Sequence, residues 1–273
     1  MSNAVWIVCA FTFLIHFAES SAYAIRLAGV RTRQVASSIS FVNSMLLVSR
    51  LSNMFQAPLL GAMVDRAAGN DLLIPVLGSS FRWIIFAGFL GSGLGLVLLP
   101  ALSELFTVAM RRFQDTASIP KVFISVLKPD QIKKIAIILF RRPRFGEGEA
   151  MTLREIPRTF LVMNVVMTAV YSLGVLAALY AGACAADIRA TAIQLSGIVN
   201  GLATICLVLF VDPGAAHIVD GVVQGRRSVG QMWGVVVGLA VGRLIGVGIL
   251  AQILFDPATN YIQWVARWVV RVF

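Results

Sequence analysis

Apolar residues in this chain gather into six long blocks, residues 4–24, 35–60, 81–102, 160–181, 190–211 and 229–255. Each approaches the ~20 apolar residues that cross a bilayer as a helix. The expected fold is therefore all-α, a polytopic membrane protein with about six transmembrane helices. The second and sixth blocks are long and polar enough to be tilted, kinked or partly outside the lipid. Pro58 is expected to break the second near its end, because it lacks an N–H and its ring clashes with the preceding turn. Between the third and fourth blocks lies a polar region whose apolar pieces, residues 122–127 and 135–140, are too short to span. Bracketed by Lys128, Lys133, Lys134, Arg141, Arg142 and Arg144, these pieces suit interfacial helices on an anionic leaflet; a solvated connector is the simpler alternative. The tail YIQWVARWVVRVF, with Gln263, Arg267 and Arg271 four residues apart and Trp264 and Trp268 beside them, is expected to lie in the interface as well. The first apolar block has no basic leader and is too long for a signal peptide's core, so it is expected to be retained as a span.

Composition sharpens the class. With 58% hydrophobic and 13% charged residues and a mean hydropathy of +0.85, the chain is too apolar for an ordinary soluble domain and reads as one integrated membrane domain. Lys and Arg number 23 against 13 Asp and Glu. In a membrane protein that excess belongs to topology and anionic headgroups, not nucleic acid. The loops after spans one, three and five carry 3, 11 and 2 basic residues, whereas the remaining loops and ends together carry 4. That asymmetry places the central loop in the cytoplasm and both termini outside. Cys9, Cys184 and Cys206 are far apart, with no ligand or disulfide framework.

The halves resemble each other. RTRQVASSISFVN faces IRATAIQLSGIVN, aligning Asn43 with Asn200, and downstream Pro58 and Asp65 align with Pro213 and Asp220. A repeat unit of three spans is odd, so its second copy enters the membrane inverted, an arrangement many secondary transporters use for alternating access. The expected divisions are 1–102 for the first three-helix repeat, 103–158 for the connector, 159–255 for the second repeat and 256–273 for an interfacial helix.

Polar residues inside these blocks are the candidate chemistry. An ionised side chain at the bilayer centre costs roughly 2.5–3.5 kcal/mol on insertion scales, so several in one hairpin imply use. At 100° per residue His16, Glu19, Tyr23 and Arg26 fall within about 80° of one another. Ser40, Asn43, Arg50 and Asn53 make a comparable stripe on the second span. Facing each other, the stripes would wall a wet groove bearing cations, and guanidinium groups bind phosphate oxygens in a bidentate way without losing their proton. Arg26, Arg31, Arg33 and Arg50 are thus candidate ligands for an anionic, lipid-linked solute. Glu19 either forms an ion pair with Arg26 or Arg50, or makes a protonatable couple with His16; Asp65 is a further candidate for ion pairing or coupling. Arg82, near its helix end, is expected to snorkel. Asn164, Tyr171, Asn200 and Arg243 are candidates for the second half's side of the groove.

Gly230, Gly234, Gly238, Gly242 and Gly246 form four overlapping GxxxG steps on span six. Such a ladder lets another helix approach closely. Its expected partner is span five at Gly197 and Gly201, span three at Gly91 and Gly95, or a second copy of the chain. Enzyme signatures are missing: no HExxH, Walker loop or nucleotide-binding glycine motif, and neither NDLL nor DPGAAH supplies the metal-binding or phosphatase motifs of polyprenyl enzymes. GAMVDRAAG is only superficially like the loop signature of major-facilitator transporters. No metal or cofactor is expected.

The blocks IHFAESSAYAIRLAGVRTRQVA, LVSRLSNMFQAPLLGAMVDRA and IRATAIQLSGIVNGLATICLVLFVDP together resemble the Amj family of bacterial lipid II flippases, with Glu19-Ser20 where Glu-Thr is expected. The resemblance covers most of the chain outside 103–158. It implies a multi-pass protein of the bacterial plasma (inner) membrane that carries lipid II, undecaprenyl diphosphate disaccharide-pentapeptide, from the cytoplasmic to the outer leaflet for peptidoglycan synthesis, without covalent chemistry. The alternatives are a membrane enzyme acting on polyprenyl phosphates and a small-solute or ion transporter.

Overall fold

The computed structural model describes residues 3–126, 128–140 and 156–272, and every regular element among them is helical. Six stretches among these residues are long and apolar enough to cross a bilayer: Asn3–Thr32, Val35–Ala67, Ile74–Val97, Arg158–Cys184, Ala186–Val223 and Val229–Val272. The chain starts with a long hairpin, α1 (Asn3–Thr32) and α2 (Val35–Ala67), followed by α3 (Ile74–Val97). A turn at Leu98 leads into amphipathic α4 (Leu99–Thr116) and two short helices, α5 (Ile119–Val126) and α6 (Pro129–Phe140). A second hairpin follows, of α7 (Arg158–Cys184) and α8 (Arg189–Cys206). A π-helical turn, Leu207–Val211, joins α8 to α9 (Asp212–Val223). The last stretch is α10 (Val229–Ile245), a π turn at Gly246–Leu250, and α11 (Ala251–Val272).

Several boundaries differ from those expected, for local reasons. The third span begins at Ile74, not 81, and ends at Val97, not 102, because Pro75 and Pro100 each sit in a helix's first turn, where a missing N–H costs nothing. Pro58 does not break α2, and Pro257 lies inside α11, so the tail from 256 continues the sixth span without a break. Both prolines are exposed. Ending the helix there would strip partners from several backbone groups in an apolar setting, whereas running through a proline strips one. Pro213 is absorbed differently: the preceding π turn takes up the lost bond and carries the fifth stretch on to Val223.

Small residues set the packing. α3 lies against α1 so closely that a Cβ on Gly91 would collide with the Phe13 carbonyl, and one on Gly95 with Ser20. α10 lies against α7 in the same manner, with Gly242 on Asn164 and Gly246 on Thr168 and the Val165 carbonyl. Gly242 and Gly246 of the ladder therefore meet span four, which was not among the expected partners, while Gly91 and Gly95 of span three meet span one. Gly197 and Gly201 have open space beside them. The reason is steric: Asn164 and Thr168 take the place beside these glycines where a larger residue's Cβ would sit. One hydrophobic cluster joins the N-terminal end of α1 to α3, α7 and α11 through Val8, Phe81, Ala177 and Phe255. A second joins the other end of α1 to α4, α9 and α10 through Leu27, Leu99, Ile218 and Trp233. The outer arms α2 and α8 each pack on their own hairpin partner rather than on each other.

α4 carries Arg112, which donates to Ser125 at 3.3 Å and to Gln131, tying α5 and α6 beneath Phe41 and Phe113. Arg141, Arg142 and Arg144 lie outside the described residues. Arg82 does more than snorkel: it binds Asp256 at 2.8 Å and lies over the Phe255 ring, clamping α3 to α11.

Candidate functional site

The expected stripe on α1 holds together. His16, Glu19, Tyr23 and Arg26 share one face, and that face looks between the two hairpins. The partner of Glu19 is neither Arg26 nor Arg50 but Arg243 from α10, which pairs with Glu19 Oε2 and also lies 3.0 Å from His16 Nδ1. A guanidinium only donates, so His16 Nδ1 accepts here and carries no proton. Glu19 Oε1 accepts from Ser49 Oγ at 2.7 Å and from Tyr171 OH at 3.2 Å. Four helices thus meet at one carboxylate: α1, α2, α7 and α10. Arg243 is reachable because Gly242 and Gly246 let α10 settle deep against α7, where Asn164 Nδ2 also donates to the Leu239 carbonyl at 2.9 Å.

This charged layer separates two cavities. On one side, a cavity of about 300 Å³ is lined by Glu19, Arg26, Arg50, Asp212 and Arg243. Its three cations face two carboxylates, an excess of one positive charge. Arg26 binds Asp212 at 2.6 Å, half exposed, while Arg50 has no polar partner among the described residues. On the other side, a cavity of about 530 Å³ has no Asp, Glu, Lys or Arg in its lining; it offers Thr12, Asn53, Gln56, Ser172, Ser196 and Asn200 on an apolar wall. Tyr171 belongs to both walls.

The remaining expected residues are spread more widely. Arg31 donates to Ser103 at 3.0 Å and lies over the Trp233 ring, so it anchors α4 and α10 rather than lining the groove. Arg33 is exposed in the α1–α2 turn with a left-handed φ of 56°. Asp65 is exposed in the last turn of α2, about 24 Å along the helix from Ser49 at 1.5 Å per residue, and does not join the cluster. The α2 stripe is rotated from expectation: Ser49, Asn53 and Gln56 face inwards, Arg50 sits at the groove's edge, and Ser40 and Asn43 are exposed. The face of α2 that packs on α1 is the one continuing through Phe41 and Ser52, and it fixes that rotation. Asp212 was missed. The signal was an acid at the end of an apolar run, beside a proline, with cations in the opposite hairpin.

The chain matches the family described as Amj, alternate to MurJ, over residues 11–266. It is 37% identical over 268 residues to the lipid II flippase Amj of Bacillus subtilis (strain 168), covering 98% of each chain. No solved structure matches it.

Proposed function

Because the chain belongs to the Amj family, we propose that it is a transporter, not an enzyme, and that it flips lipid II across the bacterial plasma membrane from the cytoplasmic to the outer leaflet. The observation that carries this reading is the pair of cavities between the same two hairpins, on opposite sides of the Glu19–Arg243–His16 layer. A lipid-linked diphosphate needs cations, its headgroup needs a polar path, and its prenyl chain needs to stay in lipid. Arg50, charged and unpaired at the groove edge, is the first diphosphate ligand; Arg26 is the second, exchanging Asp212 for phosphate. Arg33 attracts the anion to the mouth, and Arg31 drops out of the binding set because its guanidinium is already engaged. The gap between α2 and α8 gives the prenyl chain a side exit.

The loop charges favour an orientation with the Arg50 cavity toward the cytoplasm and both termini outside. The inverted repeat draws support from packing: in each half a helix bearing glycines, α3 or α10, seats on the first helix of a hairpin. Alternating access then opens one cavity while the layer closes the other. Binding alone cannot drive net movement, since a ligand shifts two states only by its differential affinity for them. Consumption of lipid II outside supplies direction, or a proton does so through Glu19 and His16. Gly242 and Gly246 are occupied within the chain, whereas Gly197 and Gly201 leave a face of α8 open for contact with a second copy.

The test uses cells in which this protein is the sole flippase. Arg50→Glu, expressed and folded, is expected to stop lipid II reaching the outer leaflet and to halt wall synthesis. Growth and outer-leaflet lipid II at wild-type levels would remove Arg50, and with it the diphosphate route, from the mechanism.

A further inference from the structure

The Asn200 cavity has a chemistry that diphosphate binding does not use. Its polar groups are all neutral amides and hydroxyls apart from His16, whose Nδ1 is committed to Arg243. On the α1–α2 side, Thr12 Oγ1 donates to Gln56 Oε1 at 3.0 Å and Gln56 Nε2 donates to Asn53 Oδ1 at 2.9 Å, a relay that holds both amides at fixed orientations. On the α7–α8 side the groups are unspent. Asn200 lines the cavity, but its Oδ1 is pressed against α7 and closed off from it, so only the rest of the amide faces a ligand. Hydroxyls elsewhere in these helices fold back on the preceding turn, as Ser21, Ser80, Thr168 and Thr204 do. Ser172 and Ser196 make no such bond among the described residues and face the cavity. Gly174 is what leaves room for the amide: a Cβ there would collide with Asn200 Oδ1.

Ser172 and Ser196, two cavity-facing hydroxyls without a protein partner among the described residues, and the accessible part of the Asn200 amide call for a ligand that supplies hydrogen bonds. An anion does not suit a lining without a full positive charge, and a hydrocarbon chain would leave Ser172, Ser196 and the Asn200 amide without partners. Dense, neutral donors and acceptors on an apolar wall beside an aromatic ring fit a neutral, hydroxyl- and acetamido-bearing ligand. The volume, about 530 Å³, falls in the roughly 300–1,000 Å³ range of sites for small organic ligands.

We infer that this cavity is a sugar subsite, in which Asn53, Gln56, Ser172, Ser196 and Asn200 recognise the N-acetylated sugar of the carrier's headgroup. The inference rests on the flipping proposed above and deepens it. The Arg50 cavity reads the diphosphate, which every polyprenyl diphosphate shares, and the Asn200 cavity reads what the diphosphate bears. Specificity then comes from the neutral site, because a site built to hydrogen-bond a ligand rejects analogues that lack the matching groups.

The experiment measures binding of two probes, undecaprenyl diphosphate and lipid II, to the full chain in lipid nanodiscs. Wild type is expected to hold the sugar-bearing probe more tightly. Asn200→Leu and Gln56→Leu are each expected to weaken lipid II about three- to tenfold and to leave undecaprenyl diphosphate unchanged, which also reports an intact fold. Arg50→Ala is expected to weaken both probes alike. If a leucine variant loses both probes, Ser172→Ala with Ser196→Ala, which removes two hydroxyls and little volume, decides the matter by the same ratio. Equal affinity of wild type for the two probes, or folded variants with an unchanged ratio, overturns the sugar subsite while leaving the flippase standing. Failure of wild type to bind either diphosphate overturns the flippase reading itself.

Discussion

Removing the charge of Glu19 tests the central layer most directly. Its ion pair with Arg243 is enclosed, with side-chain exposures of 9% and 6%. It therefore belongs with buried pairs and not with surface pairs, whose worth is about 0–1 kcal/mol. Deleting one member of a buried pair leaves the other charged in a poorly solvating site and costs about 3–5 kcal/mol. Glu19→Gln keeps an oxygen for Arg243, so about 3 kcal/mol is expected; Glu19→Ala keeps none and approaches about 5 kcal/mol. Arg243→Met is expected to be milder than Glu19→Ala, because the carboxylate retains its bonds from Ser49 and Tyr171. Glu19→Gln combined with Arg243→Met has no buried charge left and is expected to return to within about 2 kcal/mol of wild type, a coupling of about 4 kcal/mol or more. The assay is reversible unfolding in lipid bicelles over a denaturing-detergent titration for wild type, both single variants and the double. Additive losses in the double variant would refute the reasoning, since they would mean that the two side chains stabilise the fold independently. The stable double variant is also expected to fail to complement cells lacking other flippases, which separates the layer's part in transport from its part in folding.

Other outcomes follow from the same geometry. Gly91→Ala and Gly246→Ala drive a methyl into the backbone of the neighbouring helix and are expected to cost about 1–3 kcal/mol each, whereas Gly197→Ala and Gly201→Ala meet open space and are expected to be neutral or slightly stabilising in the same unfolding assay. Arg50→Ala is expected to weaken undecaprenyl diphosphate about ten- to a hundredfold by loss of charged hydrogen bonds, with Arg50→Lys recovering part of it; unchanged binding would exclude Arg50 as a ligand. In a chain first stripped of Cys9, Cys184 and Cys206, cysteines placed at Leu46 and Leu207 across the groove and joined by a bifunctional thiol reagent are expected to stop flipping, and reduction of a cleavable linker to restore it. Arg26→Ala is expected to change stability by about 1 kcal/mol or less, because its bond to Asp212 is partly exposed, while slowing transport; a large stability loss with normal transport would make Arg26 structural only.

Much of this protein was legible along the chain, because a bilayer imposes a length and a composition that a linear pattern records directly. Six spans, the polar centre, the cluster of charge in the first hairpin and the family resemblance of the quoted blocks all follow from residue type and spacing. The His16–Glu19–Tyr23–Arg26 face follows as well, since four positions on one helix are related by rotation alone. Pairing across helices does not have that property. Glu19 finds Arg243, some two hundred residues away in sequence, because Gly242 and Gly246 sink α10 onto α7; nothing local to Glu19 distinguishes that arginine from Arg26 or Arg50. The rotation of α2, which turns Gln56 inward and Asn43 outward, is set by how its apolar face seats on α1. The division of the groove into a cationic cavity and a neutral one needs side chains from both hairpins at once. Periodicity along one helix decides which residues share a face; only the packing of helices against each other decides what that face meets.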